Sequence, residues 1–154
     1  MWQRKQTIFL AITGASMLLM ILFPIWMVSD GTTSYALFPL HYSVTAAGEK
    51  TTQYFPYSLT AVLAVAAATV AFFEIGKFKN RMLQIKLGLL NSLLMAGAMA
   101  GATYFASSLI KSNQLVGEYG LGLYLPGVAL ISNLVANRFI RKDEKLVRDS
   151  DRLR

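Results

Sequence analysis

Four long apolar stretches limit the folds that this sequence can adopt. A helix needs about 20 residues to cross a hydrocarbon core of roughly 30 Å, and each stretch reaches that length. Glu74, in the last turn of the second stretch, is the only acidic residue within them. Apolar runs of this kind predict helices surrounded by lipid or by other helices. The predicted membrane spans cover residues 7–29, 56–75, 83–109 and 119–139.

The first stretch also follows basic residues, as a cleaved signal peptide does. Its apolar run is longer than the 7–15 residues of a signal-peptide core. We therefore expect it to remain as a membrane helix.

The basic residues fall almost entirely on one predicted side of the membrane. If the chain crosses four times, the two termini and the loop after the second span carry all but two of the 15 Lys and Arg residues. The other side carries only Lys50 and Lys111. This asymmetry predicts that both termini are cytoplasmic. The net charge of +7 thus reflects membrane topology, and we expect no nucleic-acid partner.

These features predict an all-α membrane protein. Residues 1–154 would form one four-transmembrane-helix bundle with a helical cytoplasmic tail over residues 140–154. The outer loop, residues 30–55, contains Tyr42 and Val44 at alternating positions, followed by a β-prone segment at residues 51–55. This loop is predicted to form one short β-hairpin lying over the bundle.

Small residues on the third span predict a helix-packing face. Gly97 and Gly101 are four residues apart, and Gly88 continues the same face. Because lipid provides little hydrophobic force between helices, small residues that let backbones approach closely favour association. We expect this face to pack against the second span, with self-association into a homo-oligomer as the alternative.

A group of polar residues is predicted to lie inside the membrane near its cytoplasmic boundary. Polar groups at this depth usually face the bundle interior and find partners there. They are expected to form an interhelical hydrogen-bond cluster in which the carboxylate pairs with a basic residue such as Lys77, Lys79 or Arg138. The alternative is an inward-facing site for a lipid headgroup, a proton or a solute. The candidate residues are Glu74, Gln84, Asn91, Asn133 and Asn137.

The basic tail is predicted to extend the fourth helix into the cytoplasm. Its apolar residues Phe139, Leu146 and Leu153 recur every seven positions and form a narrow seam. Such a seam can lie on anionic lipid, dock on a partner helix, or remain a solvated helix end. The candidate contact residues are Arg141, Lys142, Leu146, Arg148, Arg152 and Leu153.

The sequence lacks the common motifs for catalysis, cofactor binding and metal binding. There is no cysteine, and the one histidine, His41, lies in the outer loop. No Walker A loop, dinucleotide fingerprint or HExxH motif is present. We therefore predict no catalytic residue, no metal site and no cofactor, and we expect the protein not to be an enzyme.

The two ends of the chain resemble a known family. The segment MWQRKQT leads directly into the first span, and NRFIRKDEKLVR is followed by DRLR at the end of the chain. Both are similar to the ends of a family of four-span inner-membrane proteins from Bacteroidota, which is catalogued only as a domain of unknown function. The resemblance implies one family domain over the whole chain and location in a bacterial inner membrane. It also implies that the tail is a recognition element.

The sequence favours two functions. The first is a non-enzymatic accessory or scaffold subunit that contacts membrane lipids and a larger membrane protein complex. The second is a small transporter, channel or lipid-binding protein that uses the inward-facing polar residues.

Overall fold

A computed structural model describes residues 5–78 and 80–151, which form four long helices and a five-stranded antiparallel sheet. The helices are α1 (Lys5–Leu22), α2 (Ser58–Gly76), α3 (Arg81–Asn113) and α4 (Leu121–Asp151). The strands are β1 (Trp26–Asp30), β2 (Thr33–Leu37), β3 (Tyr42–Ala46), β4 (Glu49–Gln53) and β5 (Glu118–Tyr119). All four helices are long and apolar enough to cross a membrane, which indicates a membrane protein.

The prediction of an all-α fold is wrong. The segment between α1 and α2 forms four strands, and the connection between α3 and α4 adds a fifth. The strands lie in the order β4-β3-β2-β1-β5. Instead of one hairpin on a helical bundle, the protein has two consecutive hairpins in a continuous sheet outside the helices.

The first hairpin arises because α1 ends earlier than the hydropathy predicts. The apolar run continues to Ser29, but Pro24 cannot donate a backbone hydrogen bond and restricts the residue before it. The helix ends at Leu22 and β1 begins at Trp26. Gly31 has a φ of 59° at the turn that leads into β2. A glycine at the first central position is typical of a two-residue type II′ hairpin.

The second hairpin joins β3 and β4 through Ala47 and Gly48. Their φ angles are 49° and 88°, so both central residues are left-handed. Two such residues are typical of a type I′ turn, whose twist matches that of the flanking strands. The turn aligns Ala46 with Glu49 and fixes the pairing of the two strands.

The two longest helices are longer than a hydrocarbon core is thick. α3 has 33 residues and α4 has 31. At 1.5 Å per residue they reach roughly 50 and 46 Å, whereas the hydrocarbon core is about 30 Å thick. Consequently α4 carries the start of the tail out of the membrane as continuous helix.

One core connects the bundle with the sheet. Small side chains such as Ala68 and Ala98 allow α2 and α3 to pack inside the bundle, and Trp26 and Leu37 are buried between the helix ends and the sheet. The Tyr57 ring lies 5.6 Å from Tyr42 of β3 and 5.3 Å from Phe105 of α3. The sheet is therefore seated on one end of the bundle by aromatic contacts.

The connection from β5 to α4 approaches the end of α1 very closely. The Gly120 amide donates to the Ile25 carbonyl at 3.0 Å, and the Gly122 amide donates to the Pro24 carbonyl at 3.0 Å. A Cβ atom on Gly120 would lie 2.3 Å from the Pro24 carbonyl oxygen. No side chain fits there unless the backbone moves.

We therefore expect Gly120→Ala to destabilise the protein, because overpacking typically costs about 1–3 kcal/mol. The measurement is thermal unfolding in detergent. Gly127→Ala on α4 is the matched control, since a Cβ atom there meets nothing within 4 Å. Equal melting temperatures for the two variants would contradict the close contact.

Candidate functional site

Five polar side chains predicted to lie inside the membrane are all buried and sit on three helices. Glu74 is on α2, Gln84 and Asn91 are on α3, and Asn133 and Asn137 are on α4. We call these five residues the polar cluster. They lie in the half of the bundle opposite the sheet.

The α3–α4 contact is organised around Gly88. The Asn133 side-chain amide donates to the Gly88 carbonyl at 2.8 Å and to the Ser92 hydroxyl oxygen at 2.9 Å. A Cβ atom on Gly88 would lie 2.3 Å from the Asn137 side-chain amide. Asn133 and Asn137 are four residues apart on α4, so both face the same point on α3. The absence of a side chain at Gly88 makes room for these amides.

The predicted packing glycines lie further along α3, against α2. A Cβ atom on Gly97 would lie 3.6 Å from Leu63 Cδ1, and one on Gly101 would lie 3.4 Å from Thr60 Oγ1. Both are ordinary contact distances. The space beside Gly88 is tighter, and the glycine spacing alone does not distinguish it from the other two.

Glu74 and Gln84 connect α2 with α3. The Gln84 side-chain amide donates to the Glu74 backbone carbonyl at 2.9 Å. Neither carboxylate oxygen of Glu74 has a hydrogen-bond partner within residues 5–78 and 80–151. The Lys77 ammonium instead lies over the Phe73 ring at 4.8 Å from its centroid. Lys79, another basic partner predicted for Glu74, lies outside the described residues.

The polar cluster contains more hydrogen-bonding atoms than it pairs internally. Within the described part of the chain, both side-chain polar atoms of Asn91 and the side-chain oxygens of Gln84, Asn133 and Asn137 have no partner. Asn91 and Asn133 do not bond each other; Asn133 bonds Gly88 and Ser92 instead. Buried polar atoms are normally hydrogen-bonded. These oxygens are therefore an unusual group of unpaired hydrogen-bond acceptors inside the bundle.

A cleft of about 210 Å³ opens between α3 and α4 beside the polar cluster. Of the cluster, only Asn137 lines it; Glu74, Asn91 and Asn133 do not. Its lining residues are Leu89, Ser92, Leu134, Asn137, Arg138 and Arg141, and we call it the arginine cleft.

The tail continues α4 as far as the structure describes it. Arg141, Lys142 and Arg148 are exposed, and Leu146 is 61% exposed. The Arg81 guanidinium at the start of α3 donates to the Asp143 backbone carbonyl and so holds the beginning of the tail. The predicted contact residues Arg152 and Leu153 lie outside the described residues.

A second cleft, of about 530 Å³, lies on the sheet and is not among the sites predicted from the sequence. It is lined by three segments, Met27–Ser29 of β1, Ser34–Ala36 of β2 and Val116–Glu118 before α4. β5 pairs only with Trp26 and Met27, so the rest of this edge of β1 has no partner strand in the described sheet. The clue to the β1–β2 hairpin in the sequence is Gly31 between β-prone runs, because glycine is typical of the first central position of a type II′ turn.

His41 belongs to an aromatic group at the start of β3. Its ring stacks on Phe38 at 5.1 Å and lies 5.8 Å from the Tyr54 ring. Burial lowers the pKa of His41, and the positive charge of Lys50 lowers it further. Nowhere in residues 5–78 and 80–151 do three or more His, Asp or Glu side chains form a group that could hold a metal ion.

Protonation of His41 should therefore destabilise this part of the sheet. A folded-state pKa below the ordinary value of about 6.5 means that the unfolded chain binds the proton more tightly. The contribution of neutral His41 to folding stability is then fully present above the ordinary pKa and decreases as the pH falls through it. We expect an NMR titration of His41 to have a midpoint below 6.5. A midpoint at or above that value would refute this, and His41→Gln should weaken the pH dependence of unfolding between pH 7.5 and 5.5.

Four helices that are long and apolar enough to cross a membrane, with a five-stranded sheet seated on one end, indicate a membrane protein. The chain belongs to the family described as "Domain of unknown function (DUF4293)", whose model matches residues 2–153. A search among curated proteins gives no match.

Proposed function

We propose that this protein is a non-enzymatic accessory or scaffold subunit of a larger assembly in a bacterial inner membrane. The observation that carries the proposal is the cleft on the sheet, which lies beside an incompletely paired strand edge. The exposed helical tail provides a second contact surface on the opposite side of the membrane.

The edge of β1 fits an extended segment from another protein. β5 covers Trp26 and Met27, and the chain before β5 then separates from Val28, Ser29 and Asp30. An unpaired strand edge presents backbone donors and acceptors that an added strand can use. The cleft beside this edge holds exposed apolar surface, including Val116 at 92% exposure. Backbone pairing would give affinity, and side chains entering the cleft would give specificity.

The orientation in the membrane follows from the charges. Among the described residues, the Lys and Arg side chains other than Lys50 and Lys111 lie near the ends of the chain or the α2–α3 connection, on the side opposite the sheet. The positive-inside rule supports cytoplasmic termini and an outer sheet. In this orientation the sheet contacts the outer portion of a partner and the tail contacts its cytoplasmic portion or the inner leaflet.

The test is affinity purification of the tagged full-length protein from native membranes in mild detergent, followed by mass spectrometry. The double variant Ser34→Arg/Val116→Lys fills the cleft from two exposed positions. We expect wild type to retain a stoichiometric membrane-protein companion and this variant to lose most of it. The matched control is Thr51→Arg/Gln53→Lys on β4, which adds the same charge at exposed positions away from the cleft.

Two outcomes would contradict the proposal. One is a wild-type protein that purifies alone as a monomer. The other is a companion that both double variants retain equally, since the cleft would then not be its binding surface.

The second candidate function is a small transporter, channel or lipid-binding protein that uses the polar cluster. The free acceptor oxygens around Asn91 and Glu74 favour it, because polar residues inside a membrane often mark a solute or proton pathway. Against it, the arginine cleft does not reach these two residues. The accessory function therefore has the stronger geometric support.

Single-cysteine labelling separates the two candidates and tests the orientation. The chain has no cysteine, so each introduced thiol reports one position. In sealed cells, a membrane-impermeant maleimide should label Asp30→Cys, whereas Lys145→Cys should react only after permeabilisation. We expect Asn91→Cys to stay unreactive in both conditions. Labelling of Asn91→Cys would show water at the polar cluster and favour transport, and reversed labelling of the other two would refute the orientation.

A further inference from the structure

The arginine cleft combines two guanidinium groups with an apolar opening. Arg138 and Arg141 are three residues apart on α4, so they lie on one side of the helix. Leu89 of α3 is 61% exposed and Leu134 of α4 is 53% exposed, and together they form the apolar part of the lining. The cleft is thus cationic at one end and apolar at the other.

The charge of this cleft selects an anionic ligand. Arg stays protonated in proteins and presents a rigid fork of donors that matches phosphate geometry. Asp143 and Glu144 follow on α4, but neither lines the cleft. Ser92 is already committed, since its hydroxyl donates to the Gly88 carbonyl at 2.9 Å and accepts from Asn133. The two arginines are therefore the groups available to bind an anion.

The depth of the cleft matches the level of lipid phosphates. α4 begins at Leu121 and reaches Arg138 after 17 residues, which at 1.5 Å per residue is roughly 26 Å. The hydrocarbon core is about 30 Å thick. Arg138 and Arg141 thus lie at the membrane boundary on the side of the termini, where lipid headgroups meet the protein.

The size of the cleft fits a headgroup rather than a whole small molecule. Its volume of about 210 Å³ is below the roughly 300–1,000 Å³ of typical small-molecule pockets. Exposed apolar residues continue from it toward the membrane centre, with Leu93 one turn beyond Leu89 and Ile131 one turn beyond Leu134. These side chains form a surface along which acyl chains can lie while the headgroup occupies the cleft.

We propose that the arginine cleft binds the phosphate of an anionic phospholipid from the leaflet on the side of the termini. Arg138 and Arg141 bind the phosphate oxygens, and the apolar surface of α3 and α4 binds the acyl chains. Basic pockets between membrane helices on the cytoplasmic side are a recognised arrangement for anionic headgroups. The proposal does not depend on the sheet cleft that carries the accessory function, because the two clefts lie at opposite ends of the bundle.

The test measures lipid retained by the full-length protein. The protein is purified from vesicles of equal phosphatidylglycerol and phosphatidylcholine, and bound lipids are counted by native mass spectrometry. We expect wild type to retain phosphatidylglycerol selectively. Arg138→Gln/Arg141→Gln should lower that selectivity roughly tenfold or more, as for the loss of two charge-assisted contacts. The matched control Lys5→Gln/Lys77→Gln removes the same charge from exposed positions at the same end of the bundle, outside the cleft and the tail, and it should retain wild-type selectivity.

A second variant tests the cleft without removing charge. Leu89→Trp keeps both arginines but obstructs the apolar opening from an exposed position, and it should reduce phosphatidylglycerol retention as well. It also keeps the proposal testable if the arginine double variant does not fold, which circular dichroism of the purified proteins would reveal.

A competition experiment distinguishes a lipid phosphate from a soluble phosphate. If the site binds a lipid, millimolar inorganic phosphate should leave the retained phosphatidylglycerol unchanged. Displacement by inorganic phosphate would overturn the lipid assignment in favour of a soluble phosphate. Equal retention of both lipids by wild type, or an equal loss in the arginine and control double variants, would overturn the site itself.

Discussion

The absence of hydrogen-bond partners in hydrocarbon is the constraint on which the rest of this structure depends. Inside the membrane every backbone polar group must be satisfied within its own segment, which helices achieve and open strands do not. Strand pairing therefore starts only after α1 has ended. At that boundary the Ile25 amide donates to the Leu37 carbonyl at 2.7 Å, and the Ile25 carbonyl accepts from Gly120. Where the helix gives way to the sheet, hydrogen bonds between segments far apart in the chain thus satisfy the backbone polar groups.

The same constraint explains the importance of Gly88 at the other end of the bundle. Asn133 reaches the Gly88 carbonyl because no side chain stands between α3 and α4 at this point. The contact aligns the two longest helices and leaves Asn137 at the wall of the arginine cleft. A structural role for the polar cluster and a ligand role for the cleft are therefore compatible, since the amides set the helix spacing on which the cleft depends.

Hydropathy predicts the four helices because their apolar length is a local property of the chain. It fails at residues 23–29, where Ile25 and Trp26 are apolar because they are buried in the core that joins the sheet to the helices. Gly31 is a local signal for the first hairpin, but the apolar run that continues across Pro24 favours a longer helix instead. For the site, the burial of Asn91 and Asn133 is predictable from their depth. Their partners are not, because these depend on how α4 rotates against α3.

The sequence by itself determined which segments are helical enough to span a membrane, on which side the basic residues concentrate, and that no common catalytic motif is present. These properties depend on composition and spacing along the chain. The tertiary structure decided that the segment after α1 is a sheet, that the Asn133 and Asn137 side chains pack against Gly88, and that Arg138 and Arg141 share a cleft with Leu89. Each of these depends on contacts between residues distant in sequence, whose geometry is fixed only when the helices pack.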